Sequence, residues 1–303
     1  MRKLAACACA AVLGALGALA FALGPAGPRP AAALAATATG TATRSWVSYP
    51  DQPAALPGPA ESAHSAAGNV TSAGSLNWAG YGVSRHAVTF RAVRAVFFVP
   101  YLNCAASPGP TLSSAWAGLD GLSAHADSVE QTGIAANCSA AGKASYFAWF
   151  EMFPYSETKI SMKIHPGDSV TASVSYTAAR REFVLTLTDS TRHEHFTRDR
   201  KCPHVKVSGK LVQCPRSSAE IIAEAPATGS SQHLVIAPLS DYGAISFAGI
   251  SITDSAGQQG GVLSRHWNAL RITQLRASGG PVLAQPTPVA AATMFDVYWL
   301  RED

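Results

Sequence analysis

The chain has 303 residues, of which 48% are hydrophobic and only 14% are charged, and its formal net charge is +4. Two of the positive charges, Arg2 and Lys3, lie in a predicted leader, and the others are spread out apart from the region Arg192–Lys201. Nucleic-acid-binding proteins usually carry a dense basic patch, so the composition argues against a nucleic-acid partner.

The N-terminal segment has the three parts of a secretory signal peptide. Arg2 and Lys3 precede an apolar run, Leu4–Gly24, and a small-residue stretch then ends in an A-x-A sequence at Ala35. The apolar run is long enough for a membrane anchor, but it consists mostly of Ala and Gly and a cleavage site follows it. We therefore expect residues 1–35 to be a signal peptide, and the mature protein to be secreted, extracellular and free of the membrane.

Residues 36–74 form a low-complexity segment rich in Ala, Thr, Ser, Gly and Pro. Such a segment has too few large apolar side chains to fold by itself, so we interpret it as either a linker or a short propeptide. From Ser75 onward, Trp, Phe, Tyr, Val and Ile recur regularly, without an internal repeat or a second linker. Residues 75–303 are therefore predicted to form one domain.

The cysteine pattern predicts disulfides. Four cysteines remain after the leader: Cys104, Cys138, Cys202 and Cys214. An even number in an exported protein indicates two bridges, for which three pairings are possible. A Cys202–Cys214 bridge would close a short loop that could form a hairpin, which leaves Cys104 to pair with Cys138. No C-x-x-C pair is present, so we do not expect a structural zinc site.

Alternation of apolar and polar residues dominates the rest of the chain and is typical of strands. It predicts strands at Ala87–Pro100, Lys159–Ile164, Ser169–Tyr176, Glu182–Asp189, Ala244–Thr253, Ala269–Ala277 and Met294–Leu300. The sequence H-P-G-D at His165–Asp168 predicts a turn between two of them. No long segment has a helical period, so we predict an all-β fold. Its architecture would be an antiparallel β-sandwich of two packed sheets, of the lectin or glucanase kind.

Six short motifs are too unusual for strand packing alone. They are N-W-A-G-Y at Asn77–Tyr81, W-A-G-L-D-G at Trp116–Gly121, E-Q-T-G at Glu130–Gly133, A-W-F-E-M-F-P at Ala148–Pro154, A-E-I-I-A-E at Ala219–Glu224 and D-Y-G-A-I-S-F at Asp241–Phe247. In this order they resemble the motifs of the glutamic peptidases, the eqolisin family. The resemblance implies a two-sheet antiparallel sandwich, peptide-bond hydrolysis at acid pH, and no metal or other cofactor. We expect a monomer whose partners are protein or peptide substrates.

The resemblance also implies a catalytic pair, Gln131 and Glu224. The glutamine belongs to E-Q-T-G, and the glutamate is the second one of A-E-I-I-A-E. Peptide hydrolysis needs a base to activate water, an acid for the leaving amine and donors for the oxyanion. Glu224 would act as base and then as acid, and the amide of Gln131 would hold the water and stabilise the oxyanion. By the same resemblance, the contacts to substrate are Trp116, Asp120, Trp149 and Glu151, of which the last two share a strand face.

Each of these residues also has a simpler interpretation. Gln131 would suit a strand end before a turn, and Glu224 would suit a solvated position before a proline. Both tryptophans could be core aromatics, and Asp120 before a glycine is typical of turns. Glu220 shares the face of Glu224, and only the family register distinguishes the two. His193 and His195 share a strand face, but their polar surroundings favour a solvated hairpin over a metal site.

Two other functions are compatible with a sandwich. One is a non-catalytic module that binds carbohydrate or peptide, in which Trp116 and Trp149 would stack on sugar rings. The other is a glycosidase that uses Glu151 and Glu224 as paired carboxyl groups. The retained pair of Gln131 and Glu224 favours the peptidase.

Three positions depart from the family pattern. Ile221 and Met152 replace tryptophans, and Glu130 replaces a leucine beside Gln131. The additional carboxyl group, or the smaller aromatic wall, could move the pH optimum and the side-chain preference. The sequence pI of about 8.8 also differs from the acidic character of the family's fungal members.

Overall fold

The computed structural model describes residues 56–57, 70–122, 127–230 and 233–302. The predicted signal peptide, residues 1–35, and most of the segment 36–74 lie outside these described residues. The described chain forms strands and one short 3-10 turn at Cys104–Ala106. The strands are β1 (Leu56–Pro57), β2 (Val70–Ser75), β3 (Trp78–Ser84), β4 (Phe90–Phe98), β5 (Thr111–Leu119), β6 (Glu130–Cys138), β7 (Ala144–Met152), β8 (Thr158–Ile160), β9 (Ser169–Thr177), β10 (Glu182–Asp189), β11 (Glu194–Arg200), β12 (Lys206–Val207), β13 (Lys210–Leu211), β14 (Ser218–Glu224), β15 (Ala227–Ser230), β16 (His233–Ile236), β17 (Ala244–Asp254), β18 (Gln259–Gly260), β19 (Asn268–Leu275), β20 (Val282–Pro286) and β21 (Phe295–Trp299).

Most of the strands form two layers, and two separate two-stranded hairpins, β12 with β13 and β15 with β16, lie outside them. The front sheet has the order β1-β2-β19-β3-β14-β5-β6-β7-β8. The back sheet has the order β20-β21-β17-β4-β9-β10-β11, with β18 beside the end of β17. A short pairing of β19 with β20 joins the two sheets at one corner. In the part of the chain that the structure describes, the strand pairs are antiparallel except for β2 with β19. The predicted antiparallel sandwich is therefore confirmed, and the one parallel pair was not expected.

The core lies between the two sheets. Strands β5 and β6 of the front sheet pack against β9 and β10 of the back sheet. Inward-facing residues from both layers form one apolar cluster, which includes Leu119 and Ile221 from the front and Phe97, Val174 and Leu185 from the back. Because side chains alternate along a strand, the front sheet has a second face that points away from this core.

Most predicted strands are present, and the turn at His165–Asp168 is closed by the bond from the Asp168 amide to the His165 carbonyl. The segment Lys159–Ile164 differs from its prediction, because β8 ends at Ile160. Met162 and Ile164 are still buried, so the apolar alternation comes from burial under the sandwich edge and not from continued strand pairing.

Both expected disulfides are present. Cys202 is bonded to Cys214 and closes the hairpin of β12 and β13. Cys104 is bonded to Cys138, which fastens the turn after β4 to the end of β6. The front sheet includes β1 and β2, which begin before the predicted domain start at Ser75. The boundary at Ser75 and the removal of residues 36–74 remain predictions. None of the described residues forms a helix that is long and apolar enough to cross a membrane.

Candidate active site

Five of the six motifs lie on five neighbouring strands of the front sheet, β3, β14, β5, β6 and β7. The sixth motif runs into β17 in the back sheet. On the face of the front sheet that points away from the core, a second apolar cluster includes Trp78, Trp116, Trp149 and Ile222. We call this the outer face, and it carries the polar groups described below.

Strand register shows that Gln131 and Glu224 share the outer face. Glu224 is paired with Ser114 of β5, and Gln131 is paired with Gly118 of the same strand. Positions four apart on a strand point to the same side, and the register between them has no bulge. At about 3.3 Å per residue, the two pairs are about 13 Å apart along β5.

The indole of Trp116 occupies the space between these two positions. Its Nε1 donates a 2.7 Å hydrogen bond to Oε2 of Glu224. Its far edge lies over Gly118, where an added Cβ would be 3.0 Å from Trp116 Cζ3 and 3.1 Å from Gln131 Cβ. The ring therefore extends from the carboxylate of Glu224 to the neighbourhood of Gln131.

The glycine of the E-Q-T-G motif allows Trp116 to lie close to β6. An added Cβ at Gly133 would be 2.1 Å from the carbonyl oxygen of Ala115 and 2.7 Å from Cβ of Trp116. Such distances are shorter than any van der Waals contact, so only glycine fits this position without a shift. Trp78 packs edge-on against Trp116, with ring centroids 5.1 Å apart and an interplanar angle of 77°.

Glu224 is a buried carboxyl group held by N–H donors. Asn77 Nδ2 donates to its Oε1 at 3.0 Å, and Trp116 donates to its Oε2. Burial raises the pKa of Glu224 to about 7, and the donors Trp116, Trp78 and Asn77 oppose that rise. The Trp78 indole acts at longer range, since its Nε1 makes no hydrogen bond of normal geometry to any described residue. The side chain therefore changes its protonation near neutral pH.

Gln131 is held on the other side of the indole. Its Nε2 donates a 2.6 Å hydrogen bond to Oε2 of Glu151, its partner across β6 and β7. Its Oε1 is buried and accepts no hydrogen bond from the described residues. The amide therefore keeps an acceptor and a second N–H available for a ligand.

Asp120, a predicted substrate contact, holds a loop in this structure. Its carboxylate accepts 2.7 Å bonds from the backbone amides of Arg216 and Ser217, just before β14. Its own backbone is left-handed, with φ of 67°. Because the side chain is fully buried, its direct contact with substrate remains a prediction.

Glu130 and Glu220 are buried close to Asp120. Both are fully enclosed, and their carboxyl oxygens lack hydrogen bonds of normal geometry to described residues. Burial raises the pKa of each well above its ordinary range, and the charge of Asp120 raises both further. Burial therefore favours the neutral form of both side chains. The buried Glu220 does not have the hydrogen-bonded carboxylate that distinguishes Glu224, although the two share one face.

The two predicted tryptophan contacts are enclosed. Trp116 and Trp149 are 0% and 2% exposed, so neither presents a ring to solvent as a sugar-stacking platform would. Trp149 and Glu151 do lie on one face of β7, as predicted from their spacing, because they oppose Gly133 and Gln131 of β6. Glu151 is committed to Gln131 and is separated from Glu224 by β5 and β6, which gives the glycosidase alternative no support.

Two residues of the site were not singled out from the sequence. Asn77 lies in the N-W-A-G-Y motif, and the motif itself was the signal that could have identified it. Glu157 lies in the turn segment before β8 and lines a small cavity beside Glu224. No spacing or motif in the sequence distinguishes it from a solvated turn residue.

The described residues contain no group of three or more His, Cys, Asp or Glu side chains arranged to hold a metal ion. His195 lies on β11, where its ring nitrogens are within hydrogen-bonding distance of Thr188 and Thr197. These contacts fit the solvated hairpin expected from the sequence.

A two-sheet antiparallel sandwich with these five motifs on one sheet defines a class of protein, the glutamic-type peptidases. The chain belongs to the Peptidase A4 family, whose model matches residues 76–287. Family membership makes it a peptidase, that is, a hydrolase acting on protein or peptide substrates.

One solved structure supports the fold, and a second match is weaker. The crystal structure of scytalido-glutamic peptidase with a transition state analog inhibitor matches with a TM-score of 0.59 and 22% identity, over 74% of this chain and 98% of that chain. Aspergilloglutamic peptidase from Aspergillus niger matches with a TM-score of 0.48 and 24% identity, over 63% of this chain and 99% of that chain. Comparison with curated proteins gives no match.

Proposed function

We propose that this protein is a secreted glutamic endopeptidase in which Glu224 moves the proton and Gln131 stabilises the oxyanion. The observation that carries the proposal is the buried carboxylate of Glu224, held by Trp116 and Asn77 on the face that also carries Gln131. The two disulfides support an extracellular location, since disulfides persist in oxidising compartments. We expect the enzyme to act as a monomer without a cofactor.

The chemistry needs only these two side chains and water. Ionised Glu224 takes a proton from the water that attacks the peptide carbonyl, and protonated Glu224 then gives that proton to the leaving amine. The N–H donors fix both oxygens of Glu224, so its remaining lone pairs have defined directions. The free N–H of Gln131 is the proposed donor to the oxyanion. The mechanism requires that, when substrate binds, Glu224 and Gln131 both reach one water molecule at the edge of the Trp116 indole.

The four residues expected to contact substrate are proposed to act partly through the pair. Trp116 donates a hydrogen bond to Glu224, and Glu151 accepts one from Gln131. Trp116 and Glu151 would therefore position the catalytic pair as well as line the site. Trp149 belongs to the apolar cluster between them. Asp120 would fix the chain that leads into β14, the strand that carries Glu224.

The environment of Glu224 modifies the expected pH range. The resemblance implies an acid optimum, but a base with a pKa of about 7 is mostly protonated in acid. A base must be ionised to work, so kcat/KM should rise with pH through that range. We therefore propose an optimum closer to neutrality than the resemblance implies. A measured pH–rate profile with its maximum below about pH 5 would contradict this part of the proposal.

The test compares two isosteric variants on one strand face. Glu224→Gln should lower kcat on denatured protein by about 10²–10⁴-fold, because the proton carrier is removed. Glu220→Gln, the matched control, should retain activity, because no described residue donates a hydrogen bond of normal geometry to the Glu220 carboxyl group and burial favours its neutral form. Gln131→Ala should lower kcat by about 10²–10³-fold through loss of an oxyanion donor. Wild-type activity in folded Glu224→Gln would overturn the assignment. Loss of activity only in Glu220→Gln would instead identify Glu220 as the catalytic carboxyl group.

A further inference from the structure

A small cavity adjoins the carboxyl group of Glu224 on the outer face. Its volume is about 10 Å³, the space of a single water molecule. Its buried lining residues include Ser114, Trp149 and Glu224, and the partly buried Phe147 and Glu157 form its rim. Glu157 therefore lines the same cavity as the Glu224 carboxyl group, on its more exposed side.

The carboxyl group of Glu157 faces the cavity without a hydrogen-bond partner. Its Oε1 is buried, and no described residue donates to it. Two charged groups act on it, Lys159 and Glu224. The other lining residues, from β5, β6, β7 and the segment after β14, are uncharged. Lys159 does not line the cavity but contacts its rim, with its Nζ 3.9 Å from the centroid of the Phe147 ring.

We propose that Glu157 is a further catalytic residue, a carboxylic acid that donates a hydrogen bond to the carbonyl oxygen of the scissile peptide beside Glu224. This inference rests on the proposed function, because it takes Glu224 as the base. The two side chains are then complementary, since one accepts the proton of the attacking water while the other stabilises the oxyanion that the attack creates. The donor adds to Gln131 and transfers no proton of its own.

The protonation states of the two acids fit this division. Burial raises the pKa of Glu157 to about 8; Lys159 lowers it, and the charge of Glu224 raises it. The pKa of Glu224 is about 7, so near neutrality Glu224 is the more readily ionised of the two. As the pH rises through about 8, Glu157 loses its donor proton and places a negative charge where the oxyanion must form. Activity should fall there.

The experiment measures kcat and kcat/KM against pH for variants at the rim. Glu157→Ala should lower kcat by about 10²-fold at pH 7, the usual cost of an oxyanion donor. Glu157→Gln keeps an N–H donor that cannot ionise, so its activity should be within about tenfold of wild type. It should also lack the alkaline limb of the pH profile, that is, the fall in activity as the pH rises through about 8. Lys159→Met should move the alkaline limb to higher pH, because Lys159 lowers the pKa of Glu157.

The control variant is Glu182→Gln, which removes a carboxylate on β10 that pairs with Arg180 in the back sheet. It should leave unchanged both kcat and the pH values at which activity rises in acid and falls in alkali. An unchanged kcat in Glu157→Ala, or a wild-type alkaline limb in Glu157→Gln, would overturn the role of Glu157. Glu224→Gln in the same assays separates the two failures, because its inactivity supports the proposed function whatever Glu157 does. Thermal melts of each variant identify any that fails to fold.

Discussion

Trp116 donates its indole N–H to Oε2 of Glu224 at 2.7 Å, and the far edge of the same ring lies over Gly118, opposite Gln131. One side chain thus contacts the base and fills the space next to the amide. A hydrogen bond to an ionised carboxylate stabilises the charged form more than the neutral one. Trp116 therefore lowers the pKa of Glu224 against the effect of burial.

Trp116→Phe removes this donor and keeps most of the ring. We expect the pKa of Glu224 to rise above about 7, so the acid limb of kcat/KM should move to higher pH by about one unit. That shift corresponds to about 1.4 kcal/mol, near the lower value for a hydrogen bond to a charged group. The measurement is the pH–rate profile between pH 4 and 9.

Trp299→Phe is the matched control for that variant. The indole of Trp299 donates to the carbonyl of Leu239 and lies on β21 of the back sheet. Its loss should lower thermal stability without moving the acid limb. Equal shifts in both variants would show that the limb reports general loosening of the fold and not the Trp116 bond.

Gly133→Ala tests the close packing that seats Trp116. The new Cβ would collide with the carbonyl oxygen of Ala115 and with Cβ of Trp116, so β5 and β6 must separate. Overpacking of this kind usually costs about 1–3 kcal/mol, and the displaced indole should also lower kcat. Denaturant unfolding and initial rates check both effects. Gly109→Ala is the control, because no atom lies within 4 Å of its added Cβ; comparable losses in the two variants would exclude a special role for Gly133.

The sequence predicted the sandwich because alternation along each strand depends only on which face is buried. For the strands that carry the site it predicted only shared faces, for Trp149 with Glu151 and for Glu220 with Glu224, because those spacings are local. It did not predict which groups meet across strands. Glu157 is a turn residue, and it lies beside Glu224 only once β5, β6, β7 and the end of β14 come together.

The neighbours of Glu130 were also not predictable from the sequence. Its departure from the family pattern was visible in the sequence, but its effect depends on Asp120, just after β5, and on Glu220 of β14. The parallel pairing of β2 with β19 was also invisible, since alternation carries no information about strand direction. Long-range neighbours, and not local structure, were the missing information.

Glu130 should make the folded protein more stable in acid than at neutral pH. Burial, and then the charge of Asp120, raise its pKa well above the ordinary 4.5. A carboxyl group whose pKa is raised by folding stabilises the fold below its ordinary pKa, and this contribution is lost as the pH rises towards the folded value. Within that window each such group lowers the free energy of unfolding by about 1.4 kcal/mol per pH unit.

Glu130→Gln removes this titration and keeps a neutral polar group of the same size. We expect the variant to lose stability less steeply than wild type as the pH rises above 5, so that its melting temperature is higher by several degrees at neutral pH. Melting curves from pH 4 to 8 measure the difference. Glu130→Asp, which keeps a carboxyl group, should retain a steep decline. Parallel curves for wild type and Glu130→Gln would mean that Glu130 ionises as freely in the folded protein as in the unfolded chain, in spite of its complete burial beside Asp120.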